Sequence, residues 1–356
     1  MGEDLFGRRR MALLVLALVV GAALAAVSPL TAAERNSYTV TPLVSDQPGA
    51  AARTDSDLVN GWGLTSSPTS PWWVSDNGTN KSTLYRGSDG AKQALVVNVG
   101  GGPTGAVFNS TNGFVLPVGG TKALFIFASE DGTIRAWNGA QGTTAVVMHT
   151  SPDGGIYKGL AIADTPNGPR LYAADFHNAR VDVLDGSFNV VPNSGFVDPK
   201  LKKGYAPFGI QTIGDHVFVA YAKQDENAED EVAGQGLGFV DEYDLAGNLV
   251  ERVAKHGQLN APWGLALAPA TFGRFGGDLL VGNFGDGQIN AFEQKPDGKF
   301  EHRGELRGRD GKSLTIDGLW ALQFGKGGNN GPAGTLFFTA GPDDETHGLF
   351  GQINPS

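Results

Sequence analysis

The chain has 356 residues, enough for one large domain or two, and 40% of them are hydrophobic, which supplies a core and excludes a disordered chain. A net charge of −10 disfavours nucleic acid and anionic lipid as partners, and the lack of cysteine excludes disulfides, thiol nucleophiles, thiolate zinc and iron–sulfur centres. The 53 glycines follow no three-residue period, so collagen is excluded and many tight turns are implied.

Residues 1–33 read as a separate unit. Arg8, Arg9 and Arg10 precede an apolar run from Met11 to Val27, and small residues end it at Ala32 and Ala33. A basic start, an apolar middle and a small-residue exit describe an export signal, expected to be cleaved. An uncleaved anchor is the alternative, because the run approaches the length of a membrane span. The mature chain, residues 34–356, is then periplasmic, cell-surface or extracellular, with no later segment apolar and long enough to span.

After an isolated alternating segment, Ser37–Ser45, one pattern recurs six times. Its clearest copies contain "NGWGLT…WWVSDNGTNKSTLY", "KGLAIA…LYAADFHNARVDVL" and "WGLALA…LLVGNFGDGQINAFE". Each copy starts at a small residue: Gly63, Gly105, Gly159, Gly209, Gly264 and Ala321. Short strands in fixed order at a period of about 50 residues predict an all-β, six-bladed β-propeller with four-stranded blades. The small residues belong on the innermost strands, where a larger side chain would meet the neighbouring blade. The last copy supplies three strands and stops at Ile353. Ser37–Ser45 is therefore expected to complete the sixth blade and close the ring, removing two sheet edges.

Propeller geometry sorts the loops by face. The loops from strand two to strand three include "SEDG", "KQDENAEDEVAGQG" and "AGPDDETHG", and nearly all carry carboxylates. The loops from strand one to strand two, such as "SPTSP" and "TPNGPR", are rich in Gly and Pro and poor in charge. One face is thus acidic. Asp76, Glu130, Asp175 and Asn283 read as equivalent positions whose short polar side chains brace the following turn. Trp62 and Trp263 precede the small residue and suit interblade packing, with an aromatic lip at the channel mouth as the alternative. The long loop Gln224–Gly236 offers Asp225, Asp230 and Glu231 as a weak metal site, the alternative being a solvated lid. It opens like a calcium loop but has Asp230 where glycine is needed.

The phrases "YAADFHNARVDVLDG" and "PWGLALAP" resemble the NHL repeat of six-bladed propellers. Residues 36–353 resemble, over long phrases such as "LNAPWGLALAPATFGRFGGDLLVGNFGDGQINAF", an uncharacterised conserved family of exported bacterial proteins. The resemblance implies a propeller fold and no particular activity.

No nucleophile elbow, zinc-protease helix or phosphate loop is present. The leading expectation is an exported, monomeric binding scaffold that takes a small molecule, glycan or protein on its acidic face. The alternative is a lactone or ester hydrolase assisted by a divalent cation, Ca2+ or Zn2+, at the channel mouth. The ligand-binding candidates are Trp263, Asn283, Asp286, Asp317, Glu345 and His347. No catalytic residue is assigned.

Overall fold

Six antiparallel sheets stand around a common axis in the computed structural model, which describes residues 35–356. The export-signal reading of residues 1–33 lies outside the described residues. Blade 1 contains Gly61–Thr65, Trp72–Asp76, Lys81–Tyr85 and the short Val97–Asn98. Blade 2 contains Pro103–Phe108, Phe125–Ser129, Thr133–Trp137 and Val146–Thr150. Blades 4 and 5 repeat this plan, from Tyr205–Ile213 to Leu249–Lys255 and from Pro262–Leu267 to Phe300–Glu305. Blade 3 has Tyr157–Thr165, Gly168–Asp175 and Arg180–Asp185, and its fourth position is held by a single bridge between Leu184 and Val190. Val191 adds one more backbone hydrogen bond, to the Val183 carbonyl, and Pro192 after it has no N–H to extend that ladder.

Ring closure follows the expected seam. Blade 6 is built from Leu319–Phe324, Leu336–Ala340 and Leu349–Pro355, and Tyr38–Ser45 pairs antiparallel along the last of these. The register runs from Tyr38 opposite Pro355 to Ser45 opposite Leu349, with a bulge between Pro42 and Val44. The first and last strands of the described chain thereby close one sheet.

The innermost strands contact one another in sequence around the axis, and blade 6 returns to blade 1. In all six blades the pairing of strands one and two shifts register where the small residue sits. Such a bulge bends the strand and turns it toward its neighbour. A Cβ on Gly159 would lie 2.7 Å from the Phe208 carbonyl oxygen of blade 4, and one on Gly264 would lie 2.6 Å from the Trp320 carbonyl oxygen of blade 6. A Cβ on Gly209 would overlap the Trp263 carbonyl outright. Large side chains fill the space farther out. Trp73 packs on Phe125 and Trp137 between blades 1 and 2, and Tyr38 packs on Phe272 beside blade 5.

Gly209→Ala should therefore destabilise the protein by about 3 kcal/mol, because the clash is with backbone that cannot rotate away. Gly139→Ala, where an added Cβ meets open space, should change stability by less than about 0.5 kcal/mol. Urea unfolding of the two variants measures the difference, and equal midpoints would show that the inner ring is looser than described.

Candidate functional site

The residue before each small residue points its side chain to the axis at the acidic mouth. Around the ring this series reads Trp62, Thr104, Lys158, Phe208, Trp263 and Trp320. Four members are aromatic and pack into one buried cluster: the Trp62 and Trp320 rings are 3.8 Å apart, and Phe208 meets Trp320 edge-on. Phe284 stacks on Trp320 at 4.1 Å. Trp62 and Trp263 are thus packing residues that plug the channel.

Lys158 is the exception in the series. Its side chain is buried, yet its ammonium donates to Glu130 at 2.7 Å and Asp230 at 2.9 Å and lies 5.1 Å above the Trp62 ring. Its carbonyl accepts a hydrogen bond from the Trp263 indole at 3.0 Å. Burial works against its charge, but the fields of Glu130, Glu231 and Asp230 outweigh burial and hold its pKa above the ordinary lysine value. Glu345 reaches the same mouth from blade 6. It accepts from the Asn60 amide at 2.6 Å, and the Asn60 carbonyl oxygen accepts from both the Trp62 and Trp320 indoles at 2.9 Å. Burial raises the Glu345 pKa, opposed by the Asn60 bond and by Lys158. Burial also pushes Glu231 from its ordinary 4.5 up to about 8.

The register explains why Glu130 takes part, and it corrects the sequence reading. Asp76, Asp175 and Asn283 end their strands opposite Gly61, Tyr157 and Pro262, whereas the residue in that position of blade 2 is Ser129, opposite Pro103. Glu130 stands one residue later, in line with Asn77, Phe176, Ala222 and Phe284. One step along a two-residue period turns a side chain to the other side. Asp175 accepts from the Ile156 and Asn178 backbone N–H groups, and Asn283 donates to the Gln258 carbonyl at 2.8 Å, so both brace turns as expected. Glu130 instead faces the axis and also accepts from the Asn77 amide at 2.8 Å.

The other candidates fall into separate places. Asp286 accepts from Asn283 at 3.1 Å and from the Gln288 N–H, inside one turn of blade 5. Asp317 is exposed and accepts from the Asp343 N–H. The His347 ring is engaged with Asp46 at 2.7 Å, on the side of the closing strand. Only Trp263 and Glu345 of the six meet at the mouth. In the long loop, Asp225 accepts from the Asn227 and Glu229 N–H groups and folds the loop on itself, which carries Asp230 and Glu231 to Lys158. Among the described residues no group of three or more His, Asp or Glu side chains is placed to hold a metal ion. The cation at the centre of these acids is the chain's own ammonium. Among the described residues no helix is long and apolar enough to cross a membrane.

Two uncharacterized proteins of Acanthamoeba polyphaga mimivirus align with nearly all of this sequence. One is 33% identical, with 89% of this chain and 80% of the viral protein covered, and the other is 32% identical, covering 89% and 86%. The chain belongs to their family. These relatives are viral, where the resemblance in the sequence pointed to bacterial proteins, and their descriptions assign no activity. No family model matches this family member. Solved structures share its propeller at low identity. They include virginiamycin B lyase from Staphylococcus aureus (TM-score 0.51, 13% identity, 89% of this chain and 99% of that one) and a PQQ-bound aldose sugar dehydrogenase from Streptomyces coelicolor (TM-score 0.54, 14% identity, 90% and 99%). A glucose dehydrogenase gives a TM-score of 0.56 at 14% identity over 89% and 99%. Such likeness carries the fold and no chemistry.

A carboxylic acid whose folded-state pKa is raised binds a proton in the native chain that the unfolded chain has already lost. Its stabilising contribution is full below about pH 4.5 and is lost as pH rises through about 8. Between those values stability should fall with pH by up to ~1.4 kcal/mol per unit for this one group. Glu231→Gln should flatten that slope, as read from urea midpoints at pH 5, 6, 7 and 8, and an unchanged slope would show that Glu231 titrates as a solvated group.

Proposed function

We propose that the protein is an exported binding propeller whose ligand site is the acidic axial mouth. The observation that carries this reading is the buried ammonium of Lys158, held by carboxylates from two other blades on an aromatic plug. Buried ion clusters contribute little net stability, so a cluster converging on the axis of a ring is better explained by recognition than by folding. Glu130, Asp230, Glu231 and Glu345 offer acceptor oxygens, and Lys158 is the basic side chain among them. The mouth therefore suits a small ligand rich in N–H or O–H donors, such as a polyamine or a polyol. The basic, apolar and small-residue order of residues 8–33 supports export.

Spermidine and a panel of monosaccharides, titrated against the full chain, test this reading. A ligand bound to the native state raises the melting temperature by mass action. Glu130→Gln and Glu345→Gln should each weaken the best ligand by about tenfold, the size expected from losing one charge-assisted hydrogen bond. The reading fails if neither class raises the melting temperature, or if both variants bind as the parent does.

A further inference from the structure

The opposite end of the same axis is built differently. Beyond the aromatic plug the channel narrows to a waist of about 20 Å3, lined by Gly63, Gly105, Leu160, Ile210 and Leu322 and closed by Trp263. That is room for about one water molecule. It then widens into a cavity of about 380 Å3 at the Gly- and Pro-rich face, within the size range of small-molecule sites. Inner strands of five blades form its wall.

The lining of this cavity has a definite chemistry. Ala106, Val107, Ala161 and Ile162 make one side apolar. Gln211, Thr212, Gln323 and Lys326 bring polar groups to the rest, and the lining contains no carboxylate. With Glu130, Asp230, Glu231 and Glu345 at the other mouth, that absence separates the two ends of the axis by sign. Several of the polar groups are unspent. The Thr212 hydroxyl is buried without a hydrogen-bond partner, and the Gln211 amide makes one long bond, 3.4 Å, to the Thr212 carbonyl. The Lys326 ammonium donates to the Ser66 carbonyl at 2.5 Å, and no ion pair among the described residues includes it. An amide left without a good partner is costly, and a ligand in the cavity that supplied an acceptor would satisfy it.

We propose that this cavity is a second binding site, independent of the acidic mouth, and that it takes a small monocarboxylate with a short apolar body. The carboxylate meets Lys326 and the Gln211 and Gln323 amide donors. The apolar body lies along Ala106, Val107, Ala161 and Ile162. One lysine with neutral amides matches a single negative charge. A phosphate dianion would call for a second cation or a fork of arginine donors, and the lining has neither.

Titration of the full chain with acetate, butyrate, hexanoate and methyl hexanoate tests the proposal, with binding read by calorimetry. Affinity is expected to rise from acetate to hexanoate and to vanish for the ester, which keeps the apolar body and loses the charge. Lys326→Met should weaken hexanoate at least about tenfold, the equivalent of one charge-assisted hydrogen bond. Gln323→Leu should weaken it less, and Glu345→Gln at the far mouth should leave it unchanged. The proposal is overturned if hexanoate does not bind, if the ester binds as well as the acid, or if Lys326→Met binds as the parent does. Loss of hexanoate binding in Glu345→Gln would move the site to the acidic mouth and overturn it equally.

Discussion

The whole architecture depends on how closely six backbones approach one axis. Gly63, Gly105, Gly159, Gly209 and Gly264 are glycine because each added Cβ would meet backbone of the next inner strand. The bulge at each of these positions turns the strand into that contact. Ala321 holds the sixth position, where its N–H donates to the Thr339 hydroxyl, which in turn donates to the Trp62 carbonyl. A narrow ring has two further effects. It packs four of the six preceding side chains together at one end, with Lys158 over Trp62, and it leaves a waist too tight for anything larger than water.

That convergence makes the acidic mouth electrostatically tolerable. Carboxylates from several blades would repel one another at the axis, and the desolvation of each would be unfavourable. Lys158 enters the aromatic series from blade 3 and neutralises part of that charge from below, while Asn60 and Asn77 satisfy the remaining oxygens of Glu345 and Glu130. The loop Gln224–Gly236 is long because it must reach from blade 4 to this lysine, and Asp225 caps its own backbone to hold the bend.

The blade repeat, the acidic face and the closing strand were all legible in the sequence, because each is a periodic or compositional signal. The small residue before an apolar run marked the inner strands, and the leftover segment Ser37–Ser45 could only complete an unfinished sheet. The site was less legible. The sequence alone sets Glu130 one position off, since "ASEDG" and "VSDNG" look alike while their strands end one residue apart in that alignment. Lys158 has a signal only when the blades are aligned: one cation in a column otherwise filled by Trp62, Thr104, Phe208, Trp263 and Trp320. Convergence of side chains from different blades leaves no spacing pattern along the chain. The unpartnered groups at the far end of the channel have no sequence signature either.

The seam in blade 6 has a consequence for chain connectivity. The Ser356 N–H donates to the Ser37 carbonyl at 2.8 Å, so the two ends of the propeller lie side by side on its outer rim. Joining them with a short linker and cutting between two other blades would leave every sheet and both axial openings as they are. The order of blades along the chain is thus one of several equivalent ways to thread the same hoop.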